Sequence, residues 1–143
     1  MSDETPMVVD DLSTLGPASD FMVAAGLHLE EVTADVVTGH IDLDARHHQP
    51  RGIVHGGVYA AAVETAASVG AAAAAVKQGL GVVGVSNHTN FLRPMVEGRV
   101  DVTARPIQQG RTQQLWQVDI SDASTGKLVA VGQVRLQNIA PRA

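Results

Sequence analysis

From Gly56 to Val76 the chain reads GGVYAAAVETAASVGAAAAAV, and its only charge is Glu64. Alanine is the best helix former, and no proline interrupts the run, so a long helix is expected from Gly56 to about Gln78. Gly79 and Gly81 supply its end. The stretch is long enough to cross a bilayer, but it is mostly Ala and Gly, carries Thr65 and Ser68, and lacks the Leu, Ile and Phe of a good span. It is read as a helix buried within protein. A helix apolar nearly all round must be covered on nearly every side, and its alanines let the covering layer approach its axis closely.

The cover is legible in the flanking sequence. Leu27 to Leu43 reads as two strands with a turn near Thr33-Ala34, because Val37, Gly39, Ile41 and Leu43 alternate with polar neighbours. Residues 44 to 55 form a polar loop. After the helix the period is two: Val82 to Leu92, then Val100 to about Gln109, then a strand carrying Gln114, Trp116, Val118 and Ile120, then one carrying Leu128, Ala130, Gly132, Val134 and Leu136. Turns fall at Arg93-Pro94 with Glu97-Gly98, at Gly110-Arg111 and at Ser121 to Lys127. The order ββαββββ implies an α+β fold, an antiparallel sheet of about five to six strands wrapped around one long central helix. One sheet leaves part of such a helix open, so dimerisation is expected. Residues 1–17 read as a flexible leader punctuated by Gly16-Pro17, and 18–143 as one domain beginning with a short helix from Ala18 to Ala25.

Composition narrows the function. The 143 residues are 45% hydrophobic and 17% charged, enough for a packed core. The net charge is −5, which opposes a sequence-independent grip on nucleic acid or an anionic membrane. The aromatic residues Phe21, Tyr59, Phe91 and Trp116 are too few for a base-stacking surface. Cysteine is absent, excluding disulfides, thiolate metal sites and a cysteine nucleophile. A cytoplasmic location is the expectation, and the acidic start MSDETPMVVDD lacks the pattern of a signal peptide.

Glu64 is the residue that needs explaining. Its helical neighbours Ala60, Ala61, Ala67 and Ser68 include no cation. A buried carboxylate without a partner is costly. Glu64 therefore lies on the helix's exposed stripe, or meets an Arg from the sheet, or is a catalytic acid or base; the residues alone leave these open. Ser68, one turn on, can hydrogen-bond a carboxylate or a water. At the helix start, His55-Gly56-Gly57 offers backbone N–H groups with no internal acceptor, at the positive end of the dipole. Such an end can hold a phosphate or polarise a carbonyl, although a Gly cap alone means little. Gly56 and Glu64 are eight positions apart, roughly 12 Å along a helix. They cannot meet on one carbonyl within a single chain, so joint action requires a dimer with shared sites.

Other chemistries find less support. His47, His48, His55 and His88 are not spaced as ligands on one element, and no metal is expected. No nucleophile elbow, dinucleotide fingerprint or phosphate-binding loop is present. Arg93, Arg105 and Arg111 cluster at turns, where they either grip phosphates or are solvated surface.

The blocks Gln49-Pro-Arg-Gly-Ile-Val-His55-Gly56-Gly57-Val-Tyr-Ala-Ala-Ala-Val-Glu64 and Ser86-Asn87-His88-Thr89-Asn90-Phe91-Leu92-Arg93-Pro94 resemble the hotdog-fold acyl-CoA thioesterases. They are most similar to the Arthrobacter-type 4-hydroxybenzoyl-CoA thioesterases and the PaaI-like branch, from about residue 27 onward. Many PaaI-like members carry Asp and Asn where this chain has Glu64 and Gln49, which favours the Arthrobacter-type branch. The resemblance implies that Gly56 polarises the thioester carbonyl and that Glu64 of a second subunit is nucleophile or general base. Ser68, standing where the Arthrobacter type has Thr, would orient the carboxylate or a water, and Gln49 the carbonyl or a water. His55 joins this catalytic set; Gly57, His88, Arg93, Arg111, Thr112 and Arg142 would contact the substrate and the CoA phosphates. It further implies homodimers paired into homotetramers, an acyl-CoA substrate, and no metal or redox cofactor. An acyl-CoA sensor and a hydratase or dehydratase pairing Glu64 with His55 or His88 are the alternatives on the same fold.

Overall fold

The computed structural model describes residues 18–141; residues 1–17, where a leader is expected, and 142–143, with the expected contact Arg142, lie outside them. Helix α1 (Asp20–Ala25) is capped by Ser19, whose hydroxyl accepts from the Met22 N–H, and it ends at Gly26 with φ 80°. Strands β1 (His28–Val32) and β2 (Val37–Leu43) follow. The loop beyond contains a turn of 3-10 helix at Ala45–His47 and leads to α2 (Gly56–Val76). Strands β3 (Gly81–Phe91), β4 (Gly98–Gln109), β5 (Gln113–Asp122) and β6 (Leu128–Ile139) complete the chain.

The six strands form one antiparallel sheet in the order β1-β2-β4-β5-β6-β3. Helix α2 carries the chain from β2 across the concave face to β3, at the far edge. The period-two pattern sends Ile41, Val102, Trp116, Val118, Val134 and Leu136 inward, all buried, against Ala62, Val63, Ala66, Ala67 and Ala71 of α2. This is the expected ββαββββ order and the expected α+β architecture. Along one stripe, Ala61, Glu64, Thr65 and Ser68 stay half-buried.

Small side chains hold helix and sheet together. A Cβ on Gly70 would lie 2.5 Å from Cη2 of Trp116 and 2.9 Å from Val37. The buried Gln114 ties the two layers: its amide donates to Ala71 O at 3.0 Å and to Asn138 Oδ1 at 3.0 Å, while its oxygen accepts from Trp116 Nε1 at 2.8 Å. We predict that Gly70→Ala destabilises the fold by about 1–3 kcal/mol through overpacking, although alanine is the better helix former by about 1 kcal/mol. Urea unfolding measures the difference.

Candidate active site

The helix start is built by the loop before it. Asp44 caps the turn at Ala45–His47 by accepting from Arg46 N–H. His55 N–H donates to His47 O at 2.8 Å, and Val54 N–H to Met95 O at 2.9 Å. These bonds fix His55 as the N-cap of α2. Its Nδ1 accepts from Gly57 N–H at 2.7 Å, so the neutral ring carries its proton on Nε2. The Gly57 N–H is thereby satisfied. The Gly56 N–H has no acceptor among the described residues, and it is the orphan donor at the positive end of the helix.

A cleft of about 280 Å³ opens there, lined by Gln49, Val54, Gly56, Tyr59, Phe91 and Arg93 among others. Glycine at 56 lets the Phe91 ring of the neighbouring strand lie close, since a Cβ would be 2.6 Å from that exposed ring and would make it shift. The Gln49 side-chain oxygen accepts from Arg51 N–H, which leaves its NH₂ without an acceptor among the described residues. Tyr59 is 3% exposed, and its hydroxyl has no hydrogen-bond partner among the described residues. Burial pushes that hydroxyl up to about 12, so it stays protonated at physiological pH.

Glu64 lies two turns further along α2 and leans on β3. Asn87 Nδ2 donates to its Oε2 at 3.2 Å and to Ala60 O at 3.1 Å. Thr89 Oγ1 donates to Asn87 Oδ1 at 2.7 Å, which fixes the amide the right way round. Oε1 occupies space that only Gly84 leaves open, because a Cβ there would be 2.7 Å away. A register shift between Gly84 and Ser86 accompanies this contact, as bulges do beside functional side chains. The carboxylate thus sits on the edge strand, held by a neutral amide. An arginine from the sheet was one expected partner; the observed hydrogen-bond partner is Asn87 instead.

The remaining expected residues divide by location. Ser68 follows Glu64 on the same stripe, and its hydroxyl makes no hydrogen bond among the described residues. Arg93 stands at the cleft. Arg111 and Thr112 lie in the β4–β5 hairpin, where Asn138 binds both backbones, next to the Gln114 that reaches Ala71 in the second half of α2. They are remote from Arg93 within one chain. His88 points away from Glu64: Asn87 and Thr89 face α2, while His88 shares an outer groove with Gln117 and Gln133. Sequence reasoning passed over Asn87, Gly84 and Tyr59 as site residues. The period-two alternation through Ser86 to Phe91 carried a signal for Asn87, whereas Tyr59 has the spacing of an ordinary core residue.

The profile of the Thioesterase superfamily matches residues 51–129. A Mycobacterium tuberculosis protein named as an esterase is 42% identical over 135 residues, covering 93% of this chain and 96% of the relative. The chain belongs to the thioesterase superfamily. The M. tuberculosis structure superposes with a TM-score of 0.83, covering 87% of this chain and all of that one. A Haemophilus influenzae thioesterase structure, 32% identical, gives 0.84 over 95% of this chain and 93% of that one. The proofreading thioesterase EntH of Klebsiella pneumoniae is 33% identical over 78% of this chain and 82% of its own. The long helix and its six-stranded wrap are therefore the hotdog arrangement of thioesterases, and thioester hydrolysis is the chemistry its geometry has to explain.

Because the buried Tyr59 hydroxyl has no partner among the described residues, Tyr59→Phe should leave stability unchanged or raise it by about 1 kcal/mol, as removal of an unsatisfied polar group does. Thermal unfolding of the two proteins decides it.

Proposed function

We propose that the protein hydrolyses acyl-CoA thioesters, with aryl-CoA esters within its range, at sites shared between two copies of the chain. The observation that carries this reading is the pairing of a free Gly56 N–H at the helix start with a Glu64 carboxylate held against an open sheet edge. The two lie roughly 12 Å apart along one helix, so they serve one carbonyl only if they come from different chains.

Strand β3 supplies the means. It is an edge strand of 11 residues, paired on one side by β6, and it exposes Val83, Val85 and Phe91. Such an edge is a template for a further strand. Antiparallel pairing with a second β3, about a two-fold axis near Asn87 and His88, sets Gly84 opposite the second copy's Phe91. Gly84 touches Glu64, and Phe91 touches Gly56. The Glu64 of one copy is then brought to the Gly56 cleft of the other. Pairing of such dimers into a homotetramer, and action in the cytoplasm, complete the reading by the family resemblance.

The thioester oxygen accepts from the Gly56 N–H, aided by the helix dipole, as negative charge builds on it. On this reading the Gln49 NH₂ donates to the same oxygen or to the attacking water. Glu64 acts in one of two ways. It deprotonates a water that attacks the carbonyl carbon, or it attacks directly and gives a mixed anhydride that water then opens. In both routes the C–S bond breaks and the thiolate of CoA leaves and takes a proton; the second oxygen of the acid comes from water directly, or from a Glu64 carboxylate whose oxygen water then replaces. Arg93, at the cleft, would meet the CoA phosphates, with Arg111, Thr112 and Arg142 of the second copy as further contacts. No metal or redox group enters these steps.

Thiol release from a panel of acetyl-, medium-chain, benzoyl- and phenylacetyl-CoA tests the reading. Turnover of at least one class is expected, and none across the panel would overturn it. Glu64→Ala should lower kcat by about a thousandfold or more, the scale of an essential group. Gly56→Pro removes the proposed donor while keeping a residue favoured at the first helical position, after a His55 already extended at ψ 132°. It should lose about 10²–10³-fold in kcat. Gly56→Ala crowds Phe91 equally but keeps the N–H, and should stay within about tenfold of the parent.

A further inference from the structure

At the opposite edge of the sheet from β3, strands β1 and β2 gather a second set of chemically capable side chains. His40 and Asp42 are two positions apart on β2 and so share one face. The register places His28 of β1 directly across from His40. One nitrogen from each imidazole and one carboxylate oxygen of Asp42 lie within 4.8 Å of one another. His40 Nε2 is 3.7 Å from Asp42 Oδ2. Two ligands on one tetrahedral zinc-type ion stand about 3.4 Å apart, for bonds of about 2.0–2.1 Å. The three groups need only a slight closure.

A separate observation concerns the other side of the His40 ring. Its Nδ1 lies 2.5 Å from Glu30 Oε1, and the same oxygen accepts from Arg99 Nη2 at 3.1 Å. Arg99 in turn is held by Asp101 at 3.2 Å. A carboxylate on the far nitrogen is the usual outer partner of a metal-binding histidine: it fixes the tautomer and raises the basicity of the ligating nitrogen. Here it orients the Nε2 lone pair toward Asp42. His28 stacks on His40, with ring centroids 5.1 Å apart, and both His28 and Asp42 are exposed to ions in solution.

We propose that His28, His40 and Asp42 bind a divalent transition-metal ion of the zinc class, with water completing its coordination and Glu30 as the positioning partner of His40. Two imidazoles and one carboxylate suit zinc, nickel, cobalt or copper; calcium and magnesium prefer oxygen sets. The histidines read as a possible ligand group in the sequence were His47, His48, His55 and His88. His28 and His40 escaped notice because twelve positions and a turn separate them until the strands pair. The ion would join β1 to β2 beside the register shift between Leu29 and Glu31, and so bind the folded chain in preference to the unfolded one.

The test uses the untagged full chain, freed of metal by a chelator and titrated with zinc chloride by calorimetry. One ion per chain and a rise in melting temperature with zinc concentration are expected. His28→Ala and His40→Ala should each weaken binding by about a hundredfold or more, and Glu30→Gln by about 10–100-fold. His48→Gln should change nothing. Cobalt added to the unaltered protein should shift the imidazole NMR signals of His28 and His40 selectively, a readout that needs no variant to fold. Absence of saturable binding, or full affinity in the His28→Ala/His40→Ala protein, would overturn the proposal. In that case His40 serves only as a hydrogen-bond partner of Glu30.

Discussion

Most side chains of helix α2 are Ala or Gly, too small to form a core of their own, so the rest of the fold is arranged to come close to it. The sheet curls until Trp116 fits against Gly70 and Gln114 bonds the helix backbone at Ala71. Close approach limits side-chain size along the helix, which is why six of its eight buried positions are Ala or Gly, with Tyr59 and Val63 the exceptions. The same closeness decides the site. Phe91 presses on Gly56, and Glu64 presses on Gly84, so the two chemically distinct points of the helix each touch the last strand of the sheet.

That last strand lies where a single chain's wrap ends. The stripe from Ala61 to Ser68 and the free side of β3 are both left unsealed in one chain. The Gly56 N–H, proposed as the oxyanion donor, and a carboxylate two turns away are of little use to each other within that chain. The proposed two-fold pairing closes the wrap and unites the pair in one step. The Thr89–Asn87 pair lies on the strand that would form the seam, and it holds the Glu64 carboxylate through a neutral amide.

Much of this was legible in the sequence, for definable reasons. Periodicity located every strand of the sheet, because each has one face on the helix and one away from it. The Ala-rich run announced the central helix, and the single charge within it singled out Glu64. The turn of 3-10 helix at Ala45–His47 was read as plain loop, since a three-residue element has no period to detect. The partner of Glu64 was not legible, because Asn87 reaches it through the crossover from α2 to β3, and composition gives no warning of a neutral amide. Likewise the His28–His40 pair exists only through strand register. Long-range pairing, more than local pattern, separates what could be read from what had to be seen.

The central claim is that each site takes its donor from one copy and its carboxylate from the other. It is tested most directly by co-expressing Glu64→Ala and Gly56→Pro chains with separable tags and assaying the purified mixed dimer. Each variant alone is inactive on this account. The mixed dimer should recover about half the parental activity, since one of its two sites is intact and the other carries both lesions. A mixed dimer as inactive as its parents would show that Gly56 and Glu64 of the same chain work together, and would contradict the shared site.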